Sequence, residues 1–141
     1  MAFKLEKNMG DPNFEKYEVW PTTASETYTL GEVLTLSSGK LTAAGDDSDG
    51  TQKFICGCDY VAPSSGNVAI PVYRITPTMI FRVTSQANNS STALGTLVTL
   101  HTDELQVTAT ATKGVFEIID LLGSGAAGTE VLGRFPTAAG R

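Results

Sequence analysis

Two runs, Val68-Ala69-Ile70-Pro71-Val72-Tyr73-Arg74 and Met79-Ile80-Phe81-Arg82-Val83-Thr84, constrain this chain more than any other stretch. Both are rich in β-branched and aromatic residues, and Ile75-Thr76-Pro77-Thr78 separates them. Side chains alternate across a strand with a period of two. Val68, Ile70 and Val72 therefore share one face of the first run, and Met79, Phe81 and Val83 one face of the second. The spacing predicts a hairpin-like pair that cannot bury its apolar face alone, so flanking segments must close over it. Pro71 has no N–H to give a ladder, which predicts an edge strand or a bulge there.

The rest of the chain repeats the theme on a smaller scale. Tyr28, Leu30, Leu34 and Leu36 share a parity, and Ser37-Ser38-Gly39-Lys40 reads as a turn before Leu41-Thr42-Ala43. Phe54, Cys56, Cys58 and Tyr60 alternate in the next run. Later, Leu97 to His101, Leu105 to Ala111 and Glu130 to Phe135 predict further strands. Val115 to Leu122 is nearly continuous apolar and predicts a strand buried on both faces. No helical period persists beyond a turn or two. The expected fold is all-β, a small β-barrel or sandwich (β-tulip-like) of about eight or nine short strands.

The first 23 residues differ in character. Charged residues alternate with Phe3, Phe14, Tyr17 and Trp20, and Gly10, Pro12 and Pro21 interrupt any helix. Aromatics spaced this way are usual anchors at interfaces. The expected organisation is an extended N-terminal arm over 1–23 and a single β domain over 24–141. Phe3, Phe14, Tyr17 and Trp20 are the expected partner-binding residues of that arm.

Charge narrows the partners. The net charge is −5 with ten Lys and Arg residues, scattered along the chain. Nucleic acid is disfavoured, because binding to it needs clustered cations that release counterions. No run approaches the ~20 apolar residues that span a bilayer, and the start lacks the apolar centre of a secretory signal. Cys56 and Cys58 are too close for an unstrained disulfide, so free thiols are expected.

Motifs that could carry chemistry fail on their context. Gly45-Asp46-Asp47-Ser48-Asp49-Gly50 suggests a calcium loop, but aligning its Gly50 puts Gly45 at the first ligand position and Cys56 at the last. Gly123-Ser124-Gly125-Ala126-Ala127-Gly128 matches a dinucleotide fingerprint, yet a strand-like segment follows where a helix is needed. Cys56, Cys58 and His101 supply at most three soft metal ligands, and no nucleophile elbow accompanies His101. The expectation is a non-enzymatic protein without metal or cofactor.

Several passages together carry a likeness. Gly31-Glu32-Val33-Leu34-Thr35-Leu36-Ser37-Ser38-Gly39-Lys40-Leu41-Thr42-Ala43-Ala44 leads to Asp49-Gly50-Thr51, then Ile55-Cys56-Gly57, then Ala69-Ile70-Pro71-Val72-Tyr73-Arg74. This order resembles head-decoration (capsid cement) proteins of tailed bacteriophages, including the lambda type. Gly114-Val115-Phe116-Glu117-Ile118-Ile119, with a closing strand ending at Phe135, is similar to related phage head proteins. The resemblance implies a virion protein made in the bacterial cytoplasm that clamps the exterior of an expanded icosahedral capsid. It implies the major capsid protein as partner, a homotrimeric state, and an arm lying along the capsid surface. Alternatives are another phage structural β module of tail tube, neck or fibre, or a small ligand-binding β-barrel.

Overall fold

The computed structural model describes residues 2–8, 17–45, 52–111 and 114–136. Among the described residues twelve strands run in chain order: β1 Lys4–Asn8, β2 Tyr17–Pro21, β3 Thr27–Tyr28, β4 Val33–Ser37, β5 Lys40–Ala43 and β6 Phe54–Cys56, then β7 Tyr60–Val61, β8 Ala69–Arg74, β9 Met79–Thr84, β10 Leu97–Val98, β11 Phe116–Leu121 and β12 Glu130–Arg134. A single 3₁₀ turn, Ser91–Ala93, is the one helical piece among the described residues. The all-β expectation holds, with more and shorter strands than the sequence pattern suggests.

The strands form a five-stranded sheet β1-β9-β12-β11-β10, a second five-stranded sheet β2-β8-β6-β4-β5, and the pair β3-β7. None closes into a barrel, so the architecture is a layered sandwich. In the second sheet, neighbouring residues serve different layers. Val33, Ile55 and Tyr73 face the first sheet and join Phe81, Phe116, Ile118, Val131 and Phe135 in one core. Leu34, Phe54, Cys56, Ile70 and Val72 face the other way and meet Tyr28 and Ala62 beneath the β3-β7 pair. Period-two alternation with apolar residues at both parities gives a sheet buried on both faces.

The central runs do not form a hairpin. β8 lies in the second sheet and β9 in the first. Ile75 between them is fully buried in the inter-sheet core, and a turn closed by Met79 N–H to the Thr76 carbonyl (3.1 Å) sends the chain across. Burial of one connecting residue outweighs local pairing here.

Pro71 sits in an interior strand, not at an edge. Its carbonyl accepts the Gly57 N–H at 2.9 Å, so its N and O point toward β6. Gly57 lies one residue past the end of β6. The donor that proline lacks would bond only there, where the ladder has already ended.

Other expectations are refined. Ser38 (φ 52°) and Gly39 (φ 79°) both take left-handed backbone, and Ser37 pairs with Lys40 in a two-residue hairpin. Leu30 falls in the turn between β3 and β4 and is exposed. Val115 to Leu122 is not buried on both faces: Phe116 and Ile118 are buried, while a register shift between Ile118 and Asp120 turns Ile119 outward. Leu105 to Ala111 alternates cleanly yet forms only isolated bridges at Val107. Thr108 donates to the Thr99 carbonyl, but Thr99 N–H goes to the Thr110 carbonyl (both 3.0 Å). The buried Asn89 amide reaches the Thr108 carbonyl instead (3.3 Å), and the ladder slips.

The described part of the leading segment, residues 2–8 and 17–23, is built into the sheets. β1 pairs antiparallel with β9 and β2 pairs antiparallel with β8, so each becomes an edge strand of a different sheet. Phe3 is 3% exposed and packs edge-on to Phe81 and Phe116. Arg82 of β9 reaches Glu6 of β1 and Glu130 of β12, each at 3.3 Å, on the outer side of the same sheet.

Candidate partner-binding surface

The β2-β8 ribbon carries an exposed apolar face. Tyr17, Val19 and Pro21 lie opposite Tyr73, Pro71 and Ala69, all on one face. The intervening residues Trp20, Ile70 and Val72 turn into the core under β3-β7. At one end this apolar face continues into the inter-sheet core, where Tyr73 is buried. The Tyr17 ring closes that end, edge-on to Tyr73 at 5.8 Å between centroids. Beyond it the face lies open: Tyr17 is 56% exposed and Val19 69%.

The backbone adds a second property. Because Pro71 points toward β6, its neighbours Ile70 and Val72 bond β2 through Trp20 and Glu18. The N–H and C=O of Val19 are then directed to the outer edge of the sheet. Among the described residues no strand lies beside β2 on that side until Thr22, which makes an isolated bridge with Leu41. An apolar face beside outward-directed ladder groups is a template for an extended partner segment.

Of the three expected partner-binding aromatics that the structure describes, one lies at the surface. Tyr17 is at the surface described above. Phe3 is a core residue, because a chain that pairs with β9 carries its ring between the sheets. Phe14 lies outside the described residues. Trp20 faces inward against Phe54 (5.8 Å), and its indole N–H donates to Glu18 Oε1 at 3.0 Å. Glu18 also accepts from Arg74 Nε (2.9 Å) and Nη2 (3.0 Å), and the guanidinium lies over the Phe54 ring at 5.1 Å. Trp20 is thus the centre of an intramolecular cluster. Val19, Pro71 and Ala69 lie outside the expected set; for Val19 the signal in the sequence is the alternation Tyr17-x-Val19-x-Pro21.

Reactive groups are kept apart or quiet. Cys56 is buried and donates to the Cys58 carbonyl at 3.0 Å; burial pushes its thiol up to about 12. Cys58, half-buried, is free as well, its thiol also raised by burial. His101 Nδ1 lies 3.3 Å from Asp103 Oδ1, and Asp103 is tied to Leu105 N–H and Gln106 Nε2. The glycine-rich segment folds as a loop before β12, over Asn88-Asn89-Ser90, where it lines a shallow open pocket of about 400 Å³. Gly125 (φ 87°) accepts Asn89 N–H at 2.7 Å there, and a Cβ at that position would collide with the Asn89 carbonyl. The candidate calcium segment lies outside the described residues beyond Gly45. Among the described residues, no three His, Cys, Asp or Glu side chains are placed to hold a metal ion, and no helix is long and apolar enough to cross a membrane.

A scan against protein-family models matches none, and a search of curated proteins finds no relative.

Proposed function

We propose that this chain is a viral structural protein that binds the outer surface of an expanded icosahedral phage capsid and stabilises it by bridging major capsid protein subunits. The observation that supports this reading best is the open apolar β2-β8 face, bordered by the outward-directed backbone of Val19. A rigid module with such an edge acts by contact, and a homotrimer would multiply weak contacts into tight attachment. The proposed contact is therefore the β2 edge, with Tyr17 its one member from the originally expected aromatics. Residence is on the virion exterior, and neither nucleic acid nor membrane is a proposed partner.

Binding to purified expanded capsids tests it. The double substitution Tyr17→Asp and Val19→Asp should abolish co-sedimentation while leaving the circular dichroism spectrum and Tm close to those of the parent. Undiminished binding by the double variant would remove this face from the mechanism.

The same free edge also suits a tail-tube, neck or fibre module that stacks on itself. Electron microscopy of the purified protein separates the two, since rings or tubes favour stacking and discrete trimers favour capsid attachment. A ligand-binding barrel has less behind it, because among the described residues no sheet closes into a barrel and the pocket at Asn88-Asn89-Ser90 is shallow.

A further inference from the structure

Four carboxyl groups gather where the loop after β10 meets the start of β4. Glu32 closes the turn between β3 and β4, and its Oε1 accepts Thr29 N–H at 3.0 Å. Glu104 lies in the loop after β10, with left-handed backbone (φ 57°) held by its N–H to the His101 carbonyl at 2.9 Å. The Glu104 carbonyl accepts Val33 N–H at 3.1 Å. That carbonyl contact ties the first sheet's loop to the second sheet's strand. Glu32 and Glu104 are only 6% and 7% exposed.

Among the described residues, the groups that act on these two carboxyls are acidic or neutral. Glu26 and Asp103 act on both carboxylates, and Glu32 acts on Glu104. Glu26 is held by Thr42 Oγ1 (3.0 Å) and Ala43 N–H (2.9 Å). Tyr28 from β3 and Cys56 from β6 face Glu32 and carry no charge near neutral pH. His101 is engaged with Asp103. Burying two like charges near each other is unfavourable, and a bound proton relieves it.

We propose that Glu32 and Glu104 form a pH-sensitive latch, in which a retained proton keeps the loop at Glu104 seated on Val33 and its loss to solvent loosens that seat. Burial first, then the neighbouring carboxylates, raises both groups from 4.5 to about 7. Their folded-state values lie above the unfolded ones. The stabilisation is therefore complete below pH ~4.5 and is lost as pH rises through about 7, reaching a floor above that.

Two measurements on the full chain decide it. Thermal unfolding between pH 5 and 8.5 should give a Tm that falls by several degrees as pH rises. Glu32→Gln and Glu104→Gln should each reduce that fall, and the double variant should abolish it. Amide exchange at Val33 should lose protection by about 10- to 100-fold over the same range, within the ~300-fold that one group moved from 4.5 to about 7 could produce. The exchange measurement needs no variant, so a misfolded substitution does not blunt the test. A parent Tm that does not fall, Val33 protection independent of pH, or a double variant that keeps the fall would each overturn the latch.

Discussion

The Phe3 ring stands edge-on to Phe116, 5.5 Å between centroids at 73°, with Phe81 and Phe135 completing an aromatic cluster between the sheets. A residue at the third position of the chain thus belongs to the buried core. Phe3→Ala should cost about 3–5 kcal/mol in chemical denaturation, the usual range for deleting a core phenyl ring. Tyr17→Ala, at the exposed end of the same segment, should cost clearly less. Equal small losses at both positions would contradict the seat of Phe3.

The Arg74–Glu18 pair joins β8 to β2 through two hydrogen bonds. Both side chains are more than one-third exposed, so solvent screens the charge and the pair is worth about 1 kcal/mol or less. Arg74→Met should lose about 1 kcal/mol in urea titration, including the cation–π contact on Phe54. Arg74 hydrogen bonding lowers the Glu18 carboxyl from its usual 4.5. Its contribution is present above that value and is lost on acidification below it, and Arg74→Met should flatten the acid limb of the stability curve. Glu18 therefore acts opposite in sign to Glu32 and Glu104, which favours maximum stability in mildly acidic solution.

Gly133 of β12 has no room for a side chain. An added Cβ would collide with both the Glu117 carbonyl and the Phe116 ring. Gly133→Ala should destabilise by about 1–3 kcal/mol or more, because the ring and the paired strand would both have to shift. Thermal unfolding checks this directly. Gly39→Ala has open space and is strained only by its backbone angle, so its loss should be smaller.

Cys56 should resist alkylation. Its buried thiol is pushed up to about 12 by desolvation, which leaves almost no thiolate at neutral pH. Iodoacetamide on native protein at pH 8, followed by mass spectrometry, should leave Cys56 unmodified until denaturant is added. Rapid native labelling of Cys56 would show that the core under β3-β7 opens readily.

Local parity was legible in the sequence, while partnership was not. Ile70 with Val72, and Phe81 with Val83, share faces as the alternation predicts, since strand periodicity is a property of a few adjacent residues. Which sheet each run joins depends on Ile75 finding the inter-sheet core, and that requires residues far along the chain. The slip at Thr108 depends on the Asn89 side chain, 19 positions away. The leading aromatics read as anchors because composition cannot tell a residue that docks on another protein from one that docks on its own. Of the candidate surface, Tyr17 was legible from its type. Val19 and Pro71 became meaningful only once the direction of the Pro71 carbonyl was known.

Val33 and Leu34 are successive residues whose side chains enter opposite hydrophobic interiors. The middle sheet is a party wall: whatever loosens one room disturbs the boundary of the other. Heat should therefore melt both together in a single all-or-none event, with calorimetric and van't Hoff enthalpies in agreement. Damage to either interior would then be felt at the outer edge where Val19 lies.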